Sequence, residues 1–170
     1  MEEWFDEVNE QDEVVGQRLR ADIHRLGLLH RAVHILVFND RGQLFLQKRS
    51  ELKDCFPGKW DSSASGHLDA GEDYDQCARR ELGEEIGLHL EEVPEKLFKV
   101  AACPETGQEF VWVYRCQSNG PFELQPEEVT EGHFYDRADL ERWLARAPED
   151  FATGFILVWE RFLAFERDQR

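Results

Sequence analysis

The chain has 170 residues, of which 41% are hydrophobic, so it is long enough for one globular domain with a sizeable core. Its 20 basic and 36 acidic residues give a net charge of 20 − 36 = −16, which argues against non-specific binding to nucleic acid or to an anionic membrane. Residues 1–6 lack the basic and apolar stretches of a signal peptide, and no apolar run is long enough to cross a membrane, so we expect a cytoplasmic protein. The cysteines have no paired spacing and are expected to be free thiols: Cys55, Cys77, Cys103 and Cys116.

Hydrophobic patterning and turn signals in the first part of the chain predict strands at residues 4–8, 13–17, 32–38, 43–49 and 60–65. The segment 32–38 is apolar almost throughout and rich in β-branched residues, which is typical of a central strand buried on both faces. Residues 20–27 predict a short helical or irregular link. The later part predicts strands at 97–103, 109–116 and 133–135, with helices at 137–146 and 151–165. There is no repeat or linker, so residues 1–170 are expected to form one domain.

The segment from Gly66 to Leu88 is the most informative part of the sequence, because it combines a glycine-containing loop with a bounded helix. Asp73 is a suitable N-cap, and Gln76 lies three residues later in the capping-box position. Gly87 lies where a left-handed residue would end the helix. These residues predict a helix of about three turns that follows the loop directly.

Three carboxylates share one face of this predicted helix. At about 100° per residue, Glu81, Glu84 and Glu85 fall together beside an apolar stripe. Like charges at this spacing repel one another, and a hard divalent cation such as Mg²⁺ would reverse the effect by taking oxygen ligands from carboxylates and phosphates. The simpler interpretation, a solvated acidic face, applies to most glutamate-rich helices. The complete spacing of the segment favours the metal site.

That spacing resembles the Nudix box and matches each of its fixed positions. Gly66 is followed after five residues by Glu72, and after seven more residues comes the run Arg80-Glu81-Leu82-Gly83-Glu84-Glu85-Ile86-Gly87-Leu88. The chain therefore resembles a Nudix hydrolase, with its box at residues 66–88. The resemblance implies a Nudix-type α/β/α sandwich, in which a mixed β-sheet lies between helices.

The same resemblance implies the cofactor and several site residues. In such enzymes the carboxylates that match Glu81, Glu84 and Glu85 ligate Mg²⁺ or Mn²⁺, and the glycine that matches Gly66 often offers its backbone carbonyl. A further loop glutamate often acts as a base or an additional ligand, and Glu128 is the best-placed match. Two other glutamates remain alternatives for that role: Glu127 and Glu131.

Similarity beyond the box is to the isopentenyl-diphosphate isomerase branch of the superfamily. It is carried by residues 29–32, 36–42, 47–49, 56–60 and 65–67. This resemblance implies that Arg49 and Lys53 contact the diphosphate. It also implies a possible second metal site, whose residues would be His24, His30, His67 and Glu109. Neutral imidazoles suit Mn²⁺ or Zn²⁺, although dispersed histidines are common in proteins without metals.

Two departures from the isomerases favour hydrolysis. Their catalytic cysteine is replaced here by Ser65, a poor substitute for a thiol in proton transfer, whereas the box carboxylates are all retained. We therefore expect a divalent-metal-dependent pyrophosphohydrolase for an X-linked diphosphate, either a nucleoside diphosphate derivative or a prenyl-type diphosphate. Catalysis would use Glu84, Glu81 or Glu128 to accept a proton from water.

Two alternatives are an isomerase-like enzyme and a non-catalytic Nudix-fold ligand-binding protein. The expected partner is a small-molecule diphosphate, and a homodimer is the simplest oligomer. The X group stays open, because aromatic residues such as Trp60, Phe110 and Trp112 could stack on a base, pack against a prenyl tail or fill the core.

Overall fold

The computed structural model describes residues 2–170, which form nine strands and four α-helices. The strands are β1 Trp4–Val8, β2 Val14–Leu19, β3 His30–Phe38, β4 Leu44–Arg49, β5 Trp60–Asp61, β6 Ala64–His67, β7 Glu95–Val100, β8 Glu109–Gln117 and β9 Val129–Tyr135. The helices are α1 Arg20–Leu26, α2 Tyr74–Ile86, α3 Arg137–Arg146 and α4 Thr153–Asp168. Short 3₁₀ turns cover Pro104–Thr106 and Pro148–Asp150.

A seven-stranded mixed sheet forms the centre of the molecule. Strand β3 pairs in parallel with β8 along its full length and antiparallel with β6. Strand β4 continues the sheet through antiparallel pairing with β5 and β9, and β7 pairs antiparallel with β8. Strands β1 and β2 form a separate hairpin. Both strands of this hairpin were predicted, at 4–8 and 13–17, and they and the predicted central strand are confirmed.

Alternate side chains of β3 face two different helical layers. Val33, Ile35 and Val37 pack in the core beneath α2, whereas Leu36 and Phe38 pack in the core beneath α3 and α4. Because a strand alternates its side chains between faces, this nearly continuous apolar run fills both cores at once. The architecture is an α/β/α sandwich around a mixed sheet, as expected from the sequence.

Helix α2 has the predicted boundaries and caps. The Asp73 side chain accepts a hydrogen bond from the Gln76 backbone N–H at 2.8 Å, and the Gln76 side chain accepts one from the Asp73 N–H at 3.0 Å. Gly87 ends the helix with φ 68°, in the left-handed region. The predicted apolar stripe is buried, and its members are Ala78, Leu82 and Ile86.

Two predicted elements differ clearly in extent, and the predicted link at 20–27 is a helix. Residues 60–65 are split into β5 and β6, since the backbone between them turns at Ser62 and Ser63. The short strand expected at 133–135 begins earlier, at Val129, because it pairs with β4 along that strand's whole length. Residues 20–26 are α-helical. The four cysteines are free, as expected, and no helix within residues 2–170 is long and apolar enough to cross a membrane.

Candidate active site

The three carboxylates of α2 lie together at the free edge of β6. Glu85 is 3% exposed, and its Oε1 accepts hydrogen bonds from the Ser65 backbone N–H at 2.8 Å and from Gln47 Nε2 at 2.9 Å. Glu81 is also buried, whereas the Glu84 side chain is largely exposed. The helix therefore holds two of its carboxylates inside the protein and turns the third towards solvent.

Gly66 is required by the close approach of Glu81. A Cβ atom at position 66 would lie 2.2 Å from the carboxylate carbon and from Oε1 of Glu81, far inside van der Waals contact. The glycine thus lets a carboxylate of α2 rest directly against the backbone of β6. This is the structural reason for a glycine seven residues before the cap of α2.

Arg80 holds the acidic cluster in place from one side. Its guanidinium forms a bidentate ion pair with the Glu72 carboxylate, with N–O distances of 2.7 Å and 2.8 Å, and donates a hydrogen bond to the His67 backbone carbonyl at 3.0 Å. The same side chain contacts Glu81 at 2.9 Å and Glu84 at 3.1 Å. Arg80 and Glu72, which both occupy fixed positions of the box, therefore form an ion pair that orients the other box carboxylates.

Burial raises the proton affinity of the two inner carboxylates. It raises the pKa of Glu85 to about 7, despite the stabilising hydrogen bonds from Ser65 and Gln47. Burial, together with the neighbouring charge of Glu85, also raises the pKa of Glu81 well above its usual range. Glu81 contacts Arg80, whereas Glu85 forms no ion pair among residues 2–170. The two buried carboxylates therefore form a site with excess negative charge, which a bound cation would compensate.

A second cluster consists of three imidazoles. His24, His30 and His67 each offer a nitrogen, and these atoms all lie within 4.8 Å of one another. The Phe5 ring packs against all three imidazoles, with its centroid 4.9 Å from that of His67. Helix α1, β3 and β6 each contribute one histidine, so distant parts of the sequence form this cluster.

His30 is held in the tautomer of a metal ligand. Its Nδ1 lies 2.9 Å from the Leu28 carbonyl, which can only accept, so Nδ1 carries the proton and Nε2 carries the lone pair. Nε2 is buried and has no hydrogen-bond partner among residues 2–170. A buried, unpartnered lone pair that faces two other imidazoles is a feature that a metal ion would satisfy.

Glu109 completes this cluster. Its Oε1 lies 2.9 Å from His67 Nε2 and 3.6 Å from His30 Nε2. Burial opposes the charge of Glu109, but the neighbouring His67 and His30 hold the pKa of Glu109 well below its usual range. Burial and the two other imidazoles lower the pKa of His24 to about 4, which leaves it neutral. The set of three imidazoles and one carboxylate suits a transition metal.

The predicted diphosphate-contacting residues lie in the same region, but both have acidic neighbours. Arg49 donates to the Cys55 backbone carbonyl at 3.0 Å and 2.8 Å and contacts Asp61 at 3.4 Å. Lys53 forms an ion pair with Glu128. Of the two alternatives to Glu128, Glu127 faces the same cavity, whereas Glu131 pairs with His133 on exposed β9.

One cavity of about 680 Å³ joins these groups. The predicted site residues that line it are His24, Arg49, Lys53, Gly66, His67, Glu81, Glu84, Glu85, Glu109 and Glu128. His30 lies immediately behind its wall, in contact with His67 and Glu109. The aromatic residues considered for the X group are elsewhere: Trp60 packs against Trp143, and Trp112 lies beneath Lys96.

Sequence reasoning missed several residues of this site. Gln47 and Phe5 support the carboxylate and imidazole clusters, and Asp61 and His34 form part of the cavity wall. All of them lie on strands whose pairing was needed to bring them here. The alternation of β3 was the one available signal, because a histidine interrupts its apolar run at position 34.

The fold and this cavity define a Nudix hydrolase. The sequence model of the NUDIX domain matches residues 28–153, so the chain belongs to that family. Nudix hydrolases cleave pyrophosphate bonds and generally use divalent metals. The chain is accordingly a hydrolase that acts on diphosphate linkages.

Relatives in several bacteria support this assignment. The chain is 38% identical over 132 residues to the uncharacterized Nudix hydrolase YfcD of Escherichia coli, with 76% of this chain and 71% of YfcD covered. It is 34% identical to an uncharacterized Nudix hydrolase of Listeria monocytogenes, with 92% of each chain covered.

Solved structures show the same architecture. The crystal structure of DR0079 from Deinococcus radiodurans has a TM-score of 0.75 and 32% identity, with 88% of this chain and 91% of that chain covered. The Nudix domain of Shewanella oneidensis NrtR, solved with ADP ribose, has a TM-score of 0.62 and 19% identity, with 83% and 88% covered. The second likeness concerns the fold alone.

Proposed function

We propose that this protein is a Mg²⁺- or Mn²⁺-dependent pyrophosphohydrolase that cleaves an X-linked diphosphate in the cavity that α2, β6 and the start of α4 help to line. The observation that carries the proposal is the pair of buried carboxylates, Glu81 and Glu85, beside the exposed carboxylate of Glu84. One such pair in a low-dielectric site is costly without a cation. The metal-binding residues are Glu81, Glu84 and Glu85, with the Gly66 carbonyl as a further oxygen ligand.

A bound divalent ion would neutralise phosphate charge and lower the pKa of a water molecule. The residues of the chain then have separate tasks. Arg80 orients Glu81 and Glu84 through hydrogen bonds. Glu84, Glu81 or Glu128 accepts the proton of the attacking water. Of these, Glu84 is the most exposed, and Glu128 lines the same cavity and pairs with Lys53. Arg49 and Lys53 contribute positive charge to the wall that faces the diphosphate.

The test is a screen of diphosphates with Mg²⁺, Mn²⁺ or EDTA, followed by phosphorus NMR of the products. The panel contains nucleoside diphosphate derivatives, including ADP ribose, and prenyl diphosphates. We expect cleavage of a phosphoanhydride bond that requires the metal and stops with EDTA. Turnover that is unaffected by EDTA would contradict the metal requirement, and tight binding without turnover would favour the ligand-binding alternative.

The imidazole cluster supports a second metal site, formed by His24, His30, His67 and Glu109. The unpartnered Nε2 of His30 and the short distances between the other nitrogens support this proposal. Imidazole ligands favour Mn²⁺ or Zn²⁺ over Mg²⁺, so the two sites would differ in metal preference.

The amount of metal bound by histidine variants can test this second site independently of the carboxylate site. We expect His67→Gln to lose one equivalent of bound Mn²⁺ or Zn²⁺ in metal analysis after dialysis, while the exposed His133→Gln keeps the wild-type content. Equal metal content in the two variants would contradict the second site without affecting the first.

Hydrolysis is favoured over isomerisation. Ser65 occupies the position of the isomerase cysteine, and within residues 2–170 its hydroxyl contacts no base that would activate it. The imidazole cluster is consistent with an isomerase-like ancestry. Incubation with isopentenyl diphosphate should therefore give no allylic isomer.

A further inference from the structure

The cavity contains few hydrogen-bond donors that are free to bind a phosphate group. Each basic side chain in its lining already contacts an acidic residue: Arg20 contacts Asp54, Arg49 contacts Asp61, Lys53 contacts Glu128 and Arg80 contacts Glu72. A diphosphate substrate carries several anionic oxygens, and the metal ions of the proposed function would hold only some of them. The remaining oxygens need donors from another part of the wall.

His34 offers one such donor. This side chain is 8% exposed and lies on β3, where its Nδ1 is 2.7 Å from Ser62 Oγ. Ser62 is completely buried, and its hydroxyl has no other partner among residues 2–170. If Nδ1 carried the proton, the Ser62 hydroxyl proton would be left without an acceptor, at a cost of about 1–3 kcal/mol. The hydroxyl therefore donates to Nδ1, and the ring proton lies on Nε2.

Nε2 of His34 is unpartnered and lies beside the first turn of α4. A Cβ atom added to Gly154 would be 3.9 Å from both Cε1 and Nε2 of His34, and both residues line the cavity. No hydrogen bond from Nε2 is formed within residues 2–170. Burial lowers the pKa of His34, so the ring is neutral and keeps a single N–H, on the nitrogen that lies close to Gly154 at the cavity lining.

The N-terminus of α4 has two further backbone donors close to His34, at Gly154, which lines the cavity, and at Thr153, which lies between the lining residues Ala152 and Gly154. The helix has 16 residues, its N-cap is Ala152 without a side-chain cap, and its first turn contains no acidic residue. The backbone N–H groups of Thr153 and Gly154 have no acceptor within residues 2–170. The turn is fixed in place by the Thr153 hydroxyl, which donates to the Glu105 carbonyl at 3.0 Å. Free amides and the positive end of the helix dipole favour an anion here.

We propose that His34 Nε2–H and the backbone N–H groups of Thr153 and Gly154 form an oxyanion subsite that binds a phosphoryl group of the substrate. Ser65 pairs directly with His34 across β3 and β6 and lines the same cavity, so its hydroxyl group could act as an additional donor. His34 and Gly154 line the same cavity as Glu81, Glu84 and Glu85, so a substrate held by metal ions at the carboxylates could also reach these donors. The subsite rests on the proposed function for its substrate, but its chemistry can be tested without metal or turnover.

The test is a titration of the metal-free protein with inorganic phosphate, monitored by amide NMR in EDTA. We expect saturable shifts of Thr153 and Gly154. Thr153→Pro removes one donor at the first helical position, where proline is well tolerated, and Ala152 already has the extended ψ of 138° that a following proline needs. We expect this variant to bind phosphate about tenfold more weakly. Thr153→Ala also loses the threonine hydroxyl but keeps the backbone N–H, so its affinity for phosphate should be within about twofold of the wild-type value.

His34→Phe provides the second arm, with the exposed His133→Phe as its control. We expect about tenfold weaker phosphate binding for the first variant and no change for the second. The subsite is overturned if Thr153→Pro and Thr153→Ala bind phosphate equally, or if phosphate shifts only residues around Arg49 and Lys53. Equal affinity for acetate and phosphate would overturn the assignment to a phosphoryl group. None of these results depends on hydrolysis, so they leave the proposed function to its own test.

Discussion

At the scale of single residues, Glu85 shows how the fold prepares a site for a cation. Its carboxylate is buried and accepts hydrogen bonds from Ser65 and Gln47, yet burial raises the pKa of Glu85 to about 7. A fold that only needed an acceptor at this position could use a neutral side chain. A buried, ionisable carboxylate at position 85 is therefore better explained by a positively charged ligand that binds to it.

Replacement of Glu85 by glutamine should stabilise the metal-free protein at high pH. The pKa of Glu85 in the folded protein is above the 4.5 of an unperturbed glutamate, so the folded state binds more protons and stability is lost as the pH rises from about 4.5 through 7. We expect Glu85→Gln to raise the free energy of unfolding by on the order of 2 kcal/mol at pH 8, and to change it little at pH 5. Urea unfolding in EDTA measures this difference.

Glu131→Gln, on the exposed face of β9, should leave stability unchanged at both pH values. A variant of Glu85 that is destabilised at pH 8 would show that its charge is already compensated within the protein.

Gly66 is the residue at which the smallest change should have a large local effect. Gly66→Ala would place a methyl group 2.2 Å from the Glu81 carboxylate, which must then move away from β6. We expect Mn²⁺ affinity, measured by calorimetry, to fall at least about tenfold because ligand orientation is lost. Gly16→Ala, where the nearest atom to the new Cβ is 3.8 Å away, is the control and should bind as the wild type does. If Gly66→Ala binds Mn²⁺ with unchanged affinity, Glu81 is not a metal ligand.

At the scale of elements, α2 could be predicted closely because its boundaries depend on local interactions. The capping box and the left-handed Gly87 act within a few residues, so the sequence contains the whole signal. The start of β9 at Val129 and the division between β5 and β6 depend on pairing with β4 and β3, which are distant in sequence. Long-range pairing of this kind has no local signal, and these elements differ clearly from the prediction.

The cap of α2 should therefore have a measurable effect on stability. Asp73→Ala removes the acceptor for the Gln76 N–H, and we expect the free energy of unfolding to fall by about 1 kcal/mol. Asp136 begins α3 without a side-chain cap bond, so Asp136→Ala is a matched control with a smaller expected loss. Equal losses in chemical denaturation would mean that the capping box contributes little here.

At the scale of the whole molecule, the sequence predicted which residues line the cavity better than it predicted the contacts between them. The box carboxylates could be found from spacing, and the histidines and basic residues from resemblance. The tautomer of His30 depends on the Leu28 carbonyl, and the ion pair of Lys53 depends on a glutamate 75 residues away, so neither could be known before the strands were paired. His34 and the start of α4 meet for the same reason.

The central claim is that the carboxylates of α2 support metal-dependent cleavage of a diphosphate. Its most direct test compares the wild type, Glu85→Gln and the control Glu160→Gln, at an exposed position of α4, on a diphosphate that the screen identifies, with Mg²⁺ or Mn²⁺ present and folding checked by circular dichroism. Glutamine keeps the size of the side chain and removes its charge. We expect Glu85→Gln to lower kcat/KM at least about a hundredfold and Glu160→Gln to leave it unchanged. Equal turnover by Glu85→Gln and the wild type would contradict the account.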